Sequence, residues 1–296
     1  MTQSTKKTAD QQFADMIIER LEAGTAPWQR GWSVNEALCK PFHNAISGKP
    51  YKGANIIRCW ITCDKMGYLD HRFVTYKQAQ ENGWQVRKGE KGTFISFFAP
   101  VTKEEENSKG ELVTKTHYAA RGYTVFNAQQ VDGMPDLPPA ETFEWDPVEL
   151  GEKILASSGA IIEHNPAYGC AYSPVTDKIT LPPKDQFVSA AEYYMAATHE
   201  LAHWTGAKSR LDRNLFDRGR EEYAREELRA EIASWMLSTE TGLPFFPDSH
   251  AAYVNGWIQA IRKDYREIFR ACADAERIKD YILAFLPHEE PATVNA

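Results

Sequence analysis

The five residues His199-Glu200-Leu201-Ala202-His203 constrain this chain more than any other feature of it. Ser189 followed by Glu192 is a capping-box signature, and the run YYMAATHELAHW after it predicts a helix from Ser189 to Thr205. Positions i and i+4 share a helix face, so both imidazoles project the same way and can meet at one tetrahedral ion. Glu200, beside the first histidine, is placed to act as general base toward water at that ion. A hydrolytic metal site wants three protein ligands and one open position. The continuation HExxHxxGxxH is satisfied at Gly206 but broken at Ser209, where the third histidine would stand. A glutamate from a later helix is the alternative, and YAREELRAEIASWML offers Glu226, Glu227 and Glu231. We take Glu227 as the third metal ligand. Glu231, one turn further on the same face, is expected to accept a hydrogen bond from a ligating imidazole, whereas Glu226 is expected about 100° away on another surface. Zinc is the expected ion for a His2Glu set, with manganese as an alternative. Tyr172, Tyr223 and His250 are candidates to stabilise an oxyanion, and spacing does not choose among them.

Length and composition set the frame for that motif. A chain of 296 residues, 43% hydrophobic, is long enough for two packed cores. No apolar run approaches the roughly 20 residues that span a bilayer, so no membrane segment is expected. The first dozen residues carry two lysines with no apolar stretch behind them. Export is therefore not expected, and the five scattered cysteines read as reduced thiols of a cytoplasmic protein.

The expected fold class is α+β: a small mixed α/β domain followed by a helix-dominated one. Helices are predicted over Ala9 to Gly24 and Ala54 to Met66, and strands over Arg72–Tyr76, Trp84–Arg87, Thr93–Pro100 and His117–Phe126. The polar segment Lys103 to Leu112 reads as an exposed hairpin loop, and Gly89 with Gly92 as a hairpin turn presenting lysines. Prolines at 135, 138, 139 and 147 mark a connector, which gives domains over 1–130 and 148–290 with a linker over 131–147. Beyond it, helices are predicted over 147–157, 189–205, 221–239, 250–273 and 275–285.

Charge divides along the chain. Residues 1–130 hold 18 Lys+Arg against 13 Asp+Glu, and 131–296 hold 16 against 28. In the first part Trp28, Trp32, Phe42, Tyr51, Trp60, Tyr68, Tyr76 and Trp84 are interleaved with basic residues. Rings that stack on bases, beside cations that follow phosphates, are the means by which single-stranded nucleic acid is gripped. No recognition helix suited to duplex readout is evident.

At these residues a resemblance becomes plain. AYSPVTDKITLPP, YYMAATHELAHWTGAKSRLDR and YAREELRAE resemble the zincin-like metallopeptidase domain of the ArdC antirestriction family, over most of residues 150–290. IIERLEAGTAPWQRGW, ISGKPYKGANI and TYKQAQENGWQVRKGEKGT resemble the N-terminal domain of that family, which is related to a region of plasmid TraC primases. The resemblance implies a gluzincin-type domain in which His199, His203 and Glu227 hold the metal and Glu200 is the general base. It also implies a conjugative-plasmid protein that binds single-stranded DNA and protects incoming DNA from host restriction, with host restriction proteins as candidate substrates. Within the matching stretches, Trp28, Tyr51, Lys52, Arg87, Lys88 and Lys91 are the expected DNA contacts. Ile179 to Leu181 match the zincin strand that offers its backbone to an extended peptide. A competing reading makes the chain a DNA-binding shield with a structural or degenerate metal site. A third, an accessory for priming, lacks the paired carboxylates and phosphate loop that polymerisation needs.

Overall fold

The structure is a computed structural model that describes residues 7–29, 41–106, 112–136, 147–213, 215, 219–243, 245 and 251–286. These fall into two compact units, one of residues 42–51 and 55–136, the other of residues 7–29, 41 and 52–54 with the described residues from 147 onward. The first unit therefore does not begin at the start of the chain, as the expected 1–130 boundary had it. The reason is apolar: helix α1 (Ala9–Glu22), capped by Thr8 and Gln11, buries Phe13, Ala14, Ile17 and Leu21. Phe13 lies 5.5 Å from Phe269, and Glu22 pairs with Arg262 at 2.6 Å, both partners belonging to the C-terminal unit. Among the described residues no helix is long and apolar enough to cross a membrane.

The 42–136 unit is built on a sheet of order β1-β2-β5-β4, with β1 at His43–Asn44, β2 at Arg72–Thr75, β4 at Thr93–Glu106 and β5 at Leu112–Asn127. A two-stranded pair, β3 (Gln85–Val86) with β6 (Val131–Asp132), lies beside it. Helix α2 is found over Ala54–Met66, as its periodicity predicts, and α3 (Tyr76–Glu81) is capped by Thr75 and Gln78. Three expectations change. The β4–β5 ladder runs from Thr93↔Val125 to Glu106↔Leu112, so much of the polar segment read as a loop is strand. Cross-strand backbone bonding sustains a ribbon through residues whose side chains alone do not announce it. Val131 and Asp132, assigned to the linker by nearby prolines, are strand β6. Gly89, with φ +89°, does form a turn, but it links strands of different sheets rather than the arms of a hairpin.

The outer edge of β4 is closed by side chains of α2. Asn55 donates to the Ser96 carbonyl at 2.8 Å and accepts from the Ser96 amide at 3.0 Å, in place of a neighbouring strand. Arg58 donates to the Phe94 carbonyl at 3.2 Å. An edge left with unpaired amides and carbonyls is open to strand addition, and these two residues remove that opening at 94 and 96.

In the other unit a three-stranded sheet of order β7-β9-β8 (Ile161–His164, Lys178–Leu181, Ala171–Ser173) sits with helices α4 (Pro147–Ser158), α5 (Ala190–Trp204), α6 (Arg220–Thr241), α7 (Ala251–Lys263) and α8 (Glu267–Leu283). Ser189 caps α5 by accepting from the Glu192 amide at 3.2 Å, while the Glu192 carboxylate takes the Val188 amide instead of completing the box. The helix expected over 250–273 is broken, and the one expected from 275 is continuous with its second half. Asp264 is the cause: its carboxylate accepts from the Arg266 amide at 3.0 Å and from Arg270 at 2.8 Å, so α7 ends and α8 starts at one residue. Gly256 lets α7 press onto α6, since a Cβ there would stand 2.8 Å from that of Ala224.

A buried ion network joins α6 to α8. Glu267, its side chain 1% exposed, receives Arg229 at 3.0 Å and Arg270 at 2.8 Å, and Arg229 also holds Asp274 at 2.7 Å. Removing one member leaves buried charge uncompensated. Glu267→Ala is expected to destabilise this unit by about 3–5 kcal/mol, measured as a lower urea midpoint for its unfolding.

Candidate metal centre

Helix α5 carries His199, Glu200 and His203, and α6 carries Glu226, Glu227 and Glu231; small buried residues such as Ala197, Ala202, Ala230 and Ala233 let the helices of this core approach closely. The Nε2 atoms of the two imidazoles face each other at 3.2 Å. Glu227 lies against both, with one oxygen 3.6 Å from His199 Nε2 and the other 3.6 Å from His203 Nε2. One donor atom from each of the three residues falls within 4.8 Å of the others. On the far side of each ring stands another carboxylate, Glu231 at 3.5 Å from His199 Nδ1 and Glu226 at 3.3 Å from His203 Nδ1. A carboxylate at Nδ1 favours the proton there. Both Nε2 lone pairs then converge on one point, an arrangement that calls for a cation, and two imidazoles with one carboxylate suit a divalent ion.

The electrostatics agree. Burial opposes charge on His199, but Glu227 and then Glu231 hold that imidazole above its usual range. His203 is likewise opposed by burial and carried well above the usual range by Glu226 and then Glu227. In return, against their own burial, Glu227 and Glu226 are held below the usual carboxylate range by the rings and, for Glu226, by Arg213. Glu200 is buried on the turn that separates the two histidines.

Glu226 corrects the sequence reading, which turned it toward another surface. Its 100° offset from Glu227 is matched by the displacement of His203 one turn along α5, so it reaches the outer nitrogen of the second ring. Arg213 holds it there, donating to Glu226 at 2.8 Å, to the Thr205 hydroxyl at 2.8 Å and to the Ala202 carbonyl at 2.7 Å. Gly206 makes room for this, since a Cβ there would stand 2.9 Å from the Arg213 guanidinium. No spacing rule points to Arg213; only the adjacency of Glu226 to Glu227 hints at a second carboxylate.

The other expected positions divide. Ile179 and Leu181 are fully buried in β9, the central strand, whose backbone is paired with β7 on one side and β8 on the other. Ile179 to Leu181 therefore cannot accept a peptide strand. The Tyr172 hydroxyl bonds to Asp177 at 2.9 Å and accepts from Arg210 at 3.2 Å, and burial with Asp177 pushes it up to about 12. The Tyr223 hydroxyl, one turn before Glu227, is raised well above its ordinary range by burial and then by Glu227, and so stays a donor. His250 lies outside the described residues.

Of the expected DNA contacts, Trp28 is 1% exposed in the short 3-10 turn Pro27–Gln29 and Tyr51 is 4% exposed. Both are core rings that present no face to a base. Lys52 is paired with Asp280 at 3.2 Å and Glu276 at 3.7 Å on α8. Arg87 is exposed but engaged by Glu90 at 3.1 Å and Asp132 at 3.3 Å. Lys88 and Lys91 are exposed, with no ion pair among the described residues.

Comparison with known proteins agrees with both halves of the chain. A family model for a zincin-like metallopeptidase matches residues 149–274, and one for the N-terminal domain of anti-restriction factor ArdC matches residues 7–126. The metal-free crystal structure of the antirestriction ArdC protein from the R388 plasmid is 38% identical, with a TM-score of 0.77 over 94% of this chain and 98% of that one. Its Mn(II)-bound structure matches at 37% identity, with a TM-score of 0.76 and the same coverage. Two DNA primases TraC from Escherichia coli are 45% and 47% identical across 95% of this chain, which spans only 20% and 27% of their own length.

Loss of an outer carboxylate from a ligating imidazole typically weakens metal binding 10–100-fold. Glu226→Ala is expected to lower divalent-metal affinity by about that factor, and Glu227→Ala by more, in competition titrations against a chromophoric chelator.

Proposed function

This chain belongs to the ArdC family of antirestriction proteins, and from that membership we propose that it protects incoming plasmid DNA from host restriction by binding single-stranded DNA and by carrying a working metal-dependent peptidase site. The observation that carries the enzymatic part is the meeting of His199, His203 and Glu227 donor atoms within 4.8 Å, each ring backed by its own carboxylate. The donor set suits zinc, with manganese as the alternative; the R388 relative has a structure with Mn(II) bound. A divalent ion held there supplies Lewis acidity, polarising a peptide carbonyl and making water more acidic.

The chain's own groups divide the remaining work. Glu200 takes the proton from attacking water and later gives it to the leaving amine. Glu231 and Glu226 fix the tautomers of His199 and His203 so that Nε2 faces inward on both. Tyr223, one turn before Glu227 on α6, is our candidate for the donor that steadies negative charge on the carbonyl oxygen. An extended substrate adding to the small sheet would use the outer edge of β8 or β7, since β9 is paired on both sides. Host restriction proteins are the substrate class this reading favours.

The decisive variant is Glu200→Gln. It is expected to keep its metal, measured by elemental analysis, and to lose at least about a hundredfold in cleavage rate of whichever restriction protein the wild type degrades. Undiminished cleavage would remove Glu200 from the mechanism. Full antirestriction by the variant would leave the metal site a structural part of a DNA shield.

A further inference from the structure

Of the rings that the sequence interleaves with cations, Trp28, Phe42 and Tyr51 are buried, Trp60, Tyr68 and Trp84 are partly covered and Tyr76 is exposed, and a further pair reaches the surface from the core of the sheet. On one side of the sheet in the 42–136 unit, Phe42 and Phe73 lie 6.3 Å apart, Tyr51 lies 6.2 Å from Phe73, Phe97 6.4 Å from Tyr51, and Tyr123 5.8 Å from Phe97. Phe42, Phe73 and Tyr51 are all at most 4% exposed. Phe97 and Tyr123 are 41% and 42% exposed. The change occurs within one step of the ladder, because Ile95, directly opposite Tyr123, and Val125 are each 1% exposed. Beyond that step two rings remain half uncovered on one face of the β4–β5 ribbon, edge to face at 68°.

Arg121 stands directly opposite Phe97 in the register, so its side chain leaves the ribbon on the same face. It is exposed and has no ion pair among the described residues. Two half-uncovered rings with a free guanidinium beside them match the needs of an unpaired nucleotide: π-faces for bases and a cation for the phosphate between them. The edge of β4 is already taken at Phe94 and Ser96 by Arg58 and Asn55, so a ligand must meet the ribbon there by its face. A face that reads bases only through stacking tolerates any sequence.

We propose that Phe97, Tyr123 and Arg121 form the stacking platform for single-stranded DNA, in place of Trp28 and Tyr51. This rests on the DNA-binding half of the proposed function and gives it a location. Tyr51 then acts from beneath, as the buried ring against which Phe97 leans.

The test uses the full chain and a fluorescein-labelled oligo(dT) of about 20 nucleotides, a length that exceeds one stacking site, in fluorescence anisotropy. Replacing both rings, F97A/Y123A, is expected to weaken binding at least about tenfold, whereas F97W/Y123W retains it. R121A is expected to weaken binding less and to lower the slope of log affinity against log salt by about one. A folded F97A/Y123A variant that binds as the wild type does overturns the platform while leaving DNA binding intact. A wild type that binds no single strand at low salt overturns both. Should the alanine variant not fold, cross-linking of 5-iodouracil-substituted oligonucleotide to the wild type decides: adducts on Phe97 or Tyr123 support the platform, and adducts found only elsewhere overturn it.

Discussion

Three carboxylates, Glu226, Glu227 and Glu231, are brought against two imidazoles where α5 meets α6, in a region with little access to water. Like charges held that closely in a weakly screening interior repel strongly unless each has a counterpart. The architecture supplies the counterparts in different ways. Glu226 is balanced by Arg213, Glu227 and Glu231 by the rings between them, and the inward lone pairs of those rings by whatever cation lies at their meeting point. Buried alanines let α5 and α6 approach closely, and the charge pattern where they meet favours a positive centre between the rings.

Helical periodicity decides what could be read along the chain here and what could not. The i, i+4 histidines and the Glu227–Glu231 pair obey helical periodicity, so their convergence follows from one-dimensional spacing once both segments are helices. Arg213 obeys no such rule. It sits after α5 in irregular backbone and arrives at Glu226 by a turn whose path depends on Gly206. The α7–α8 break was equally hidden, because the amphipathic pattern continues through Asp264 and only the side chain's bonds to Arg266 and Arg270 interrupt the helix. Strand β9 was legible as a strand but not as the middle of a sheet, since pairing partners are absent from the sequence pattern of any single strand.

The 42–136 unit shows a different limit. Interleaved rings and cations were legible, yet a linear pattern cannot separate a ring that fills a core from one that leaves it. Phe73 and Phe97 are chemically identical on neighbouring parts of one sheet; one is sealed and the other half open because the covering layer ends between them. Trp28 departs further, since the segment carrying it packs with the C-terminal unit altogether. Compact units assembled from separated stretches of chain defeat any boundary drawn as one cut.

The spacing of acids on α6 raises a last physical question, that of register. Glu227 and Glu231 are one turn apart, so a slide of α6 by one turn past α5 would put Glu231 where Glu227 now stands, but Ala230 where Glu226 stands and Trp235 where Glu231 stands. Two of the three carboxylate places beside the rings would be lost, so the charges themselves resist the slide. Contacts that do not repeat every turn resist it as well. Ala224 meets the bare backbone of Gly256 on α7, where one turn away Leu228 would bring a far larger side chain. Arg229 is held by Glu267 and Asp274 on α8, and Glu226 by the guanidinium anchored to the end of α5. The register of the ligands is thus held by their own carboxylates together with aperiodic contacts around α6, and the buried ion network at Glu267 supports the metal centre although it touches none of its donors.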